Sequence, residues 1–147
     1  IGENIQVRRL KLIPKKVSHS FGIYSHMGGK ILACVEINAP AEEALAKDVA
    51  MHVAATSPEY LNSMEVPDEV LKKEREIAKE QVKGKPEYIL EKIIEGKIKS
   101  FFDSICLVHQ KYIRDDSVSV EQYVGREALS RGKKGAIVSF TRWMVGQ

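Results

Sequence analysis

Two hydrophobic periods meet between Gly29 and Ala55. Ile31, Ala33, Val35 and Ile37 recur at every second position, which places them on one face of a strand, with Lys30, Leu32, Cys34 and Glu36 on the other. After Asn38-Ala39-Pro40 the period lengthens, and Ala41, Leu45, Val49, His52 and Val53 line one side of a helix whose opposite side holds Glu42, Glu43 and Lys47. Pro40 fits a first helical turn, Asn38 is a candidate cap, and Glu42 and Glu43 suit the positive end of the helix dipole.

Upstream, Ile5, Val7, Leu10 and Leu12 change parity midway, which predicts a bulged strand over residues 4–13 that Pro14 stops. Val17, His19, Phe21 and Ile23 then alternate with Ser18, Ser20, Gly22 and Tyr24, and a turn over residues 25–29 makes a hairpin with the strand that follows. Downstream, Val66-Pro67-Asp68 restarts helix, and Val70, Leu71, Ile77, Ala78 and Val82 form a narrow apolar stripe between charged flanks. Gly84-Lys85-Pro86 is a stop and a start, after which Ile89, Leu90, Ile93, Ile94, Ile98, Phe101 and Ile105 give a broader stripe. So short a connection predicts an antiparallel helical hairpin over residues 66–105, with Phe101 and Phe102 supplying most of the aromatic burial at its base. Residues 110–114 read as extended, Asp115-Asp116-Ser117 as a turn, residues 120–130 as a weak helix, and residues 136–144 as a strand returning to the sheet, with Trp143 over an edge. The expected class is α+β: a small antiparallel sheet packed against helices, with a protruding coiled-coil-like helical hairpin. The domain division that goes with it is a core subdomain of residues 1–65 and 106–147 and a hairpin subdomain of residues 66–105.

At 147 residues and 44% hydrophobic, the chain can bury one core. A start at Ile1-Gly2-Glu3-Asn4 with no initiator Met is expected of a fragment. Cys34 and Cys106 lie too far apart in sequence to suggest a metal site and read as buried thiols in a reducing compartment. The apolar runs are too short for a bilayer. The net charge is +3, but 23 basic residues are interspersed with 20 acidic ones, and Lys15-Lys16 and Lys133-Lys134 read as solvated loop lysines; neither a nucleic acid nor a membrane is an expected partner.

Chemistry is not legible. Gly28-Gly29 precedes a strand, whereas a phosphate cradle follows one. No serine sits in a nucleophile elbow, and neither cysteine has electropositive neighbours. His52, with Asp48 one turn before it, reads as a packed helix histidine; a ligand role needs a third group. No catalytic, cofactor or metal residue is assigned, and the chain is expected not to be an enzyme. The remaining candidates are surface residues. His26, in Tyr24-Ser25-His26-Met27-Gly28-Gly29, either caps its turn or makes a contact, and Ile113 beside Arg114 is either core or an anchor in a binding patch.

Several blocks together resemble the elongation factor Ts family: Ile1-Gly2-Glu3-Asn4-Ile5-x-Val7-Arg8-Arg9, Tyr24-Ser25-His26, Leu45-Ala46-Lys47-Asp48-Val49-Ala50-Met51-His52-Val53-Ala54-Ala55, Gly84-Lys85-Pro86, and Glu91-Lys92-Ile93-Ile94-Glu95-Gly96-Lys97. They occur in the family's order along the whole chain. The resemblance implies a guanine-nucleotide exchange factor that binds the translational GTPase elongation factor Tu and promotes GDP release, in a bacterial cytoplasm or, less expectedly, a mitochondrion or plastid. It implies partner-binding roles for Ile1 and Gly2, for His26, and for Ile113 with Arg114, and it tips His26 from a capping residue to a contact. A homo-oligomer is compatible with it.

The family's exchange segment, Thr-Asp-Phe-Val, has no counterpart here; Asn38-Ala39-Pro40-Ala41 occupies the equivalent place after the strand, and the family's small N-terminal helical domain is not in the sequence. The resemblance therefore implies that this portion supplies docking surface and that the intruding residues lie upstream of Ile1. The rival reading is a protein-interaction module whose helical hairpin binds another partner.

Overall fold

The computed structural model describes residues 2–147. Its main sheet is antiparallel, in the order β1 (Ser20–His26), β2 (Ile31–Ile37), β5 (Ile137–Met144), and α1 (Glu43–Thr56) lies across β1 and β2. The alternation in β2 decides this layer: Ala33, Val35 and Ile37 are fully buried beneath Leu45, Val49 and Val53 of α1. β1 obeys the same alternation, but its polar side turns inward. Gly22 sits so close to α1 that a Cβ there would lie 2.1 Å from the carbonyl carbon of Ala46, so no larger residue fits. Ile23 points the other way and is 59% exposed.

Several local expectations fail for identifiable reasons. Residues 4–13 form no strand; Ile5, Val7, Leu10 and Leu12 are exposed. Among the described residues the segment is held to the far side of the sheet through its side chains, with the Arg9 guanidinium 4.9 Å from the Trp143 ring centre and donating to Gln147 O, and Lys11 Nζ donating to Thr141 Oγ1. Alternation without a ladder partner is not enough to make a strand.

The entry to α1 is also different. Pro40 lies outside the helix, and Asn38 does not cap it: the Asn38 side chain accepts from Ala136 N–H and its own N–H donates to Ala136 O, stitching β2 to the approach of β5. Ser20 does the capping work from the neighbouring strand, accepting from Glu42 N–H at 2.8 Å while donating to Ala39 O. Glu42, expected on the solvated side, is buried at 2% exposure, and the expected loop lysine Lys133 binds both its carboxylate and Pro40 O.

α2 (Asp68–Gln81) and α3 (Glu87–Ile105) are joined through Gly84, which adopts φ +90°, and they bury Ala78, Val82, Ile94 and Ile98 between them. The ends of this excursion are pinned together: Glu59 and Tyr60 N–H groups donate to Ile105 O, and Leu107 N–H donates to Tyr60 O. Phe101 and Phe102 stay half-buried at its root. The most buried aromatic is instead Tyr112, stacked on Tyr123 with ring centres 3.9 Å apart. Tyr112 belongs to a two-stranded ribbon, β3 (Lys111–Tyr112) and β4 (Asp115–Ser119), so Asp115 and Ser117 are strand residues and the turn is Ile113-Arg114. α4 (Val120–Ser130) follows directly, with Ser119 and Gln122 forming a capping box. β5 then pairs with β2, which becomes the central strand. The class is α+β, with four α-helices and a small antiparallel sheet among the described residues.

Candidate partner-docking face

His26 is the last residue of β1, paired with Ile31, and the tight turn follows it as Met27, Gly28 and Gly29, all with positive φ. Its parity in the strand is that of Tyr24, so both rings lie on the α1 side of the sheet, roughly parallel and 6.1 Å apart. Tyr24, His26, Met27 and Ile31 form one wall of a groove of about 330 Å³; Met51, Ala54 and Ala55 of α1 form the other, and Arg142 closes it. Arg142 is fixed there by donating from Nε to Ala54 O.

The Ile113-Arg114 turn reaches the same helix from the other side. Arg114 Nη2 lies 3.2 Å from Met51 Sδ, and Nη1 is 3.5 Å from Asp48 Oδ1. Both turn residues remain at least half exposed, Ile113 at 50%. Met51 therefore touches Arg114 and lines the groove beside His26, so two candidate contacts distant in sequence share one face of α1. Gly2 is exposed, with nothing within 4 Å of where a Cβ would sit, and no contact joins it to this face among the described residues. Ile1 lies outside the described residues.

Met51, Tyr24, Met27 and Arg142 were not picked out by sequence reasoning. A usable signal existed for Met51: it is a large apolar residue off the buried stripe of Leu45, Val49, His52 and Val53. Arg142 gave none, since its place depends on the pairing of β5.

Behind the face lies a polar core. His52, fully buried, does not pair with Asp48. Its Nε2 is 2.8 Å from Gln110 Oε1, and its Nδ1 accepts from Ile113 N–H at 3.1 Å. Burial lowers the His52 pKa, and the Gln110 hydrogen bond offsets part of that. Asp48 is engaged by Tyr123 Oη as well as by Arg114. Another buried group, Glu42 at the start of α1, receives Arg131 Nε and Nη2 at 2.8 and 2.7 Å and Lys133 Nζ at 3.2 Å, and the Arg131 hydrogen bond chiefly holds its carboxyl below the usual range.

Nothing here resembles a reaction centre. Cys106 is buried, which pushes its thiol up to about 11, and Cys34 is raised by burial and by Glu36; both are free thiols. Among the described residues no three His, Cys, Asp or Glu side chains gather as a metal site would require, and no helix is long and apolar enough to cross a membrane. Among the described residues of this face, no nucleophile stands beside a base.

Comparison with known proteins finds matches along the full length of the chain. The family model described as "Elongation factor TS" matches residues 1–147. The chain is 53% identical over 148 residues to an elongation factor Ts of Protochlamydia amoebophila (strain UWE25), covering 100% of this chain and 52% of that protein. It is 42% identical over 147 residues to that of Chlamydia muridarum (strain MoPn / Nigg), and 37% to that of Chlamydia caviae (strain ATCC VR-813 / DSM 19441 / 03DC25 / GPIC), with 99% of this chain and 52% of the relative covered in each case. The chain thus spans about half the length of the curated relatives it matches. On a match that runs from its first residue to its last, this polypeptide belongs to the elongation factor Ts family.

Proposed function

We propose that this chain is the docking portion of a guanine-nucleotide exchange factor acting on elongation factor Tu in translation, in a bacterial cytoplasm. The observation that supports it is the convergence on Met51: the His26 groove and the Ile113-Arg114 turn form a continuous, partly apolar face with a cation at its rim, the composition of a protein-binding patch. Exchange needs no covalent step. A factor that binds nucleotide-free GTPase more tightly than the GDP form lowers GDP affinity by the same ratio, so contact residues are sufficient machinery. Gly2 and Ile1 belong to this reading only through the family resemblance.

In the same reading residues 1–65 and 106–147 form the core subdomain and residues 66–105 a helical-hairpin subdomain. The pinned junction at Tyr60, Ile105 and Leu107 makes the division testable, because a short glycine bridge can replace residues 66–105. Titration calorimetry with elongation factor Tu, on the chain with and without that excursion, tests both proposals. Retained binding after the deletion supports the α1 face as the docking surface. Loss of binding in a folded deletion variant favours the hairpin, and no binding by the intact chain overturns the docking reading.

A second measurement concerns rate. Asn38-Ala39-Pro40-Ala41 is tied into the fold through Ser20, Ala136 and Lys133 and presents no Asp-Phe pair to intrude on a nucleotide site. The chain by itself is therefore expected to accelerate release of labelled GDP only slightly; strong acceleration in stopped flow would refute that expectation.

A further inference from the structure

His52 cannot reach solvent, yet every polar atom of its ring is used, and the pattern of use fixes its state. Gln110 Nε2 donates to Ser104 O, at the last turn of α3, at 2.9 Å. A backbone carbonyl can only accept, so the Gln110 amide is oriented with Oε1 toward His52, and His52 Nε2 must carry the proton that Oε1 receives. His52 Nδ1 is then a lone pair, which is what Ile113 N–H requires. The result is a directed chain of hydrogen bonds from the root of α3 through Gln110 and His52 to the backbone of the Ile113-Arg114 turn.

Backbone support for the turn is otherwise sparse: β3 contains two residues and its ladder to β4 shifts between Lys111 and Tyr112, while Arg114 reaches Met51 and Asp48 only through its side chain and Ile113 is half exposed. Packing does fix the ring: His52 stacks on Tyr112, which stacks on Tyr123. The ring is therefore a rigid post with one free acceptor, and the backbone of the exposed turn hangs on it.

We propose that His52, in its neutral Nε2-protonated form, is the positioning residue that sets the Ile113-Arg114 turn for partner binding. The proposal rests on the reading that this turn contacts elongation factor Tu. It predicts a sharp difference between two polar replacements. Asn places its Oδ1 where Nδ1 stood and keeps an acceptor for Ile113 N–H, whereas Gln extends toward Gln110 and leaves that N–H without one.

The test is amide exchange of the free chain by NMR, together with affinity for elongation factor Tu. H52Q is expected to speed exchange at Ile113 about tenfold or more and to weaken binding about tenfold, with amides of β2 unchanged; H52N is expected to restore both to within a few-fold of the parent. Equal effects of H52N and H52Q, or no change at Ile113 in H52Q, overturn the proposal. Should either variant fail to fold, the parent chain decides it: long-range nitrogen correlation spectra must show His52 protonated on Nε2 alone, and a proton on Nδ1 overturns it. I113A, with R114A, separates the two readings. If these leave affinity unchanged, the docking reading falls and this proposal with it; if they weaken binding while H52Q leaves Ile113 exchange unchanged, only the positioning role falls.

Discussion

The guanidinium of Arg114 lies 3.2 Å from the sulfur of Met51, joining the turn of the β3–β4 ribbon to the half-buried flank of α1. A thioether is a weak acceptor, so the contact contributes more by placing two adaptable side chains together than by its own strength. Met51→Ala is expected to weaken binding of elongation factor Tu about tenfold, on the order of 1.4 kcal/mol, while stability changes by less than about 1 kcal/mol. Calorimetry paired with urea unfolding checks both halves.

His26 is exposed at a strand end, stacked loosely on Tyr24, with no side-chain hydrogen bond recorded among the described residues. His26→Ala should leave the thermal midpoint within about 2 °C, as expected for a surface change below about 0.5 kcal/mol, and still reduce partner affinity. An unfolded variant, or one that binds as well as the parent, would remove His26 from the face.

Glu42 should govern acid stability. Its folded-state pKa is depressed, first by the Arg131 hydrogen bond, with Lys133 adding and burial opposing. Below the ordinary carboxylate range the unfolded chain therefore holds more protons than the folded one, so the contribution is complete above that range and is lost as pH falls toward the depressed value. Arg131→Ala is expected to lower the urea midpoint near neutral pH, by less than stripping a wholly buried pair would, because Arg131 is half in water and Lys133 remains. Urea midpoints at neutral pH and near pH 3 should show the parent losing more stability than the variant.

Gly22→Ala should be among the most damaging single-methyl changes in the chain. The added carbon would sit 2.1 Å from both the Ala46 carbonyl carbon and the Lys47 nitrogen, backbone atoms that cannot swing aside. A loss of about 3 kcal/mol is expected, at the upper end of overpacking costs, because α1 must lift off β1. Denaturant unfolding measures it directly.

The segment before β1 should exchange its amides fast. Residues 4–13 are irregular and exposed, and the attachments of Arg9 and Lys11 use side chains. Protection factors close to those of an unfolded chain are expected there, against strong protection at Ala33 and Val35 in β2. Strand-like protection over residues 4–13 would contradict the structure.

Periodicity by itself determined the strand Ile31–Ile37, the helix after it, the two helices around Gly84 and the returning strand, because each buries one repeating side and repeat length selects the element. The family was legible as well, in blocks of sequence and not in any reactive group. What only the tertiary structure decided were matters of partner. Residues 4–13 alternate well enough but have no strand beside them. Ser20, not Asn38, caps α1, since the cap comes from a neighbouring strand. Glu42 and Lys133 looked solvated because their complement, Arg131 and Pro40 O, stands elsewhere in the chain. The candidate face follows the same logic: His26 and Ile113 could be singled out one at a time, but their common neighbour Met51, and His52 behind them, emerge only when α1 is laid across the sheet and the ribbon is folded against it. Side-chain period is a property of the chain, whereas a contact between distant residues is a property of the packing.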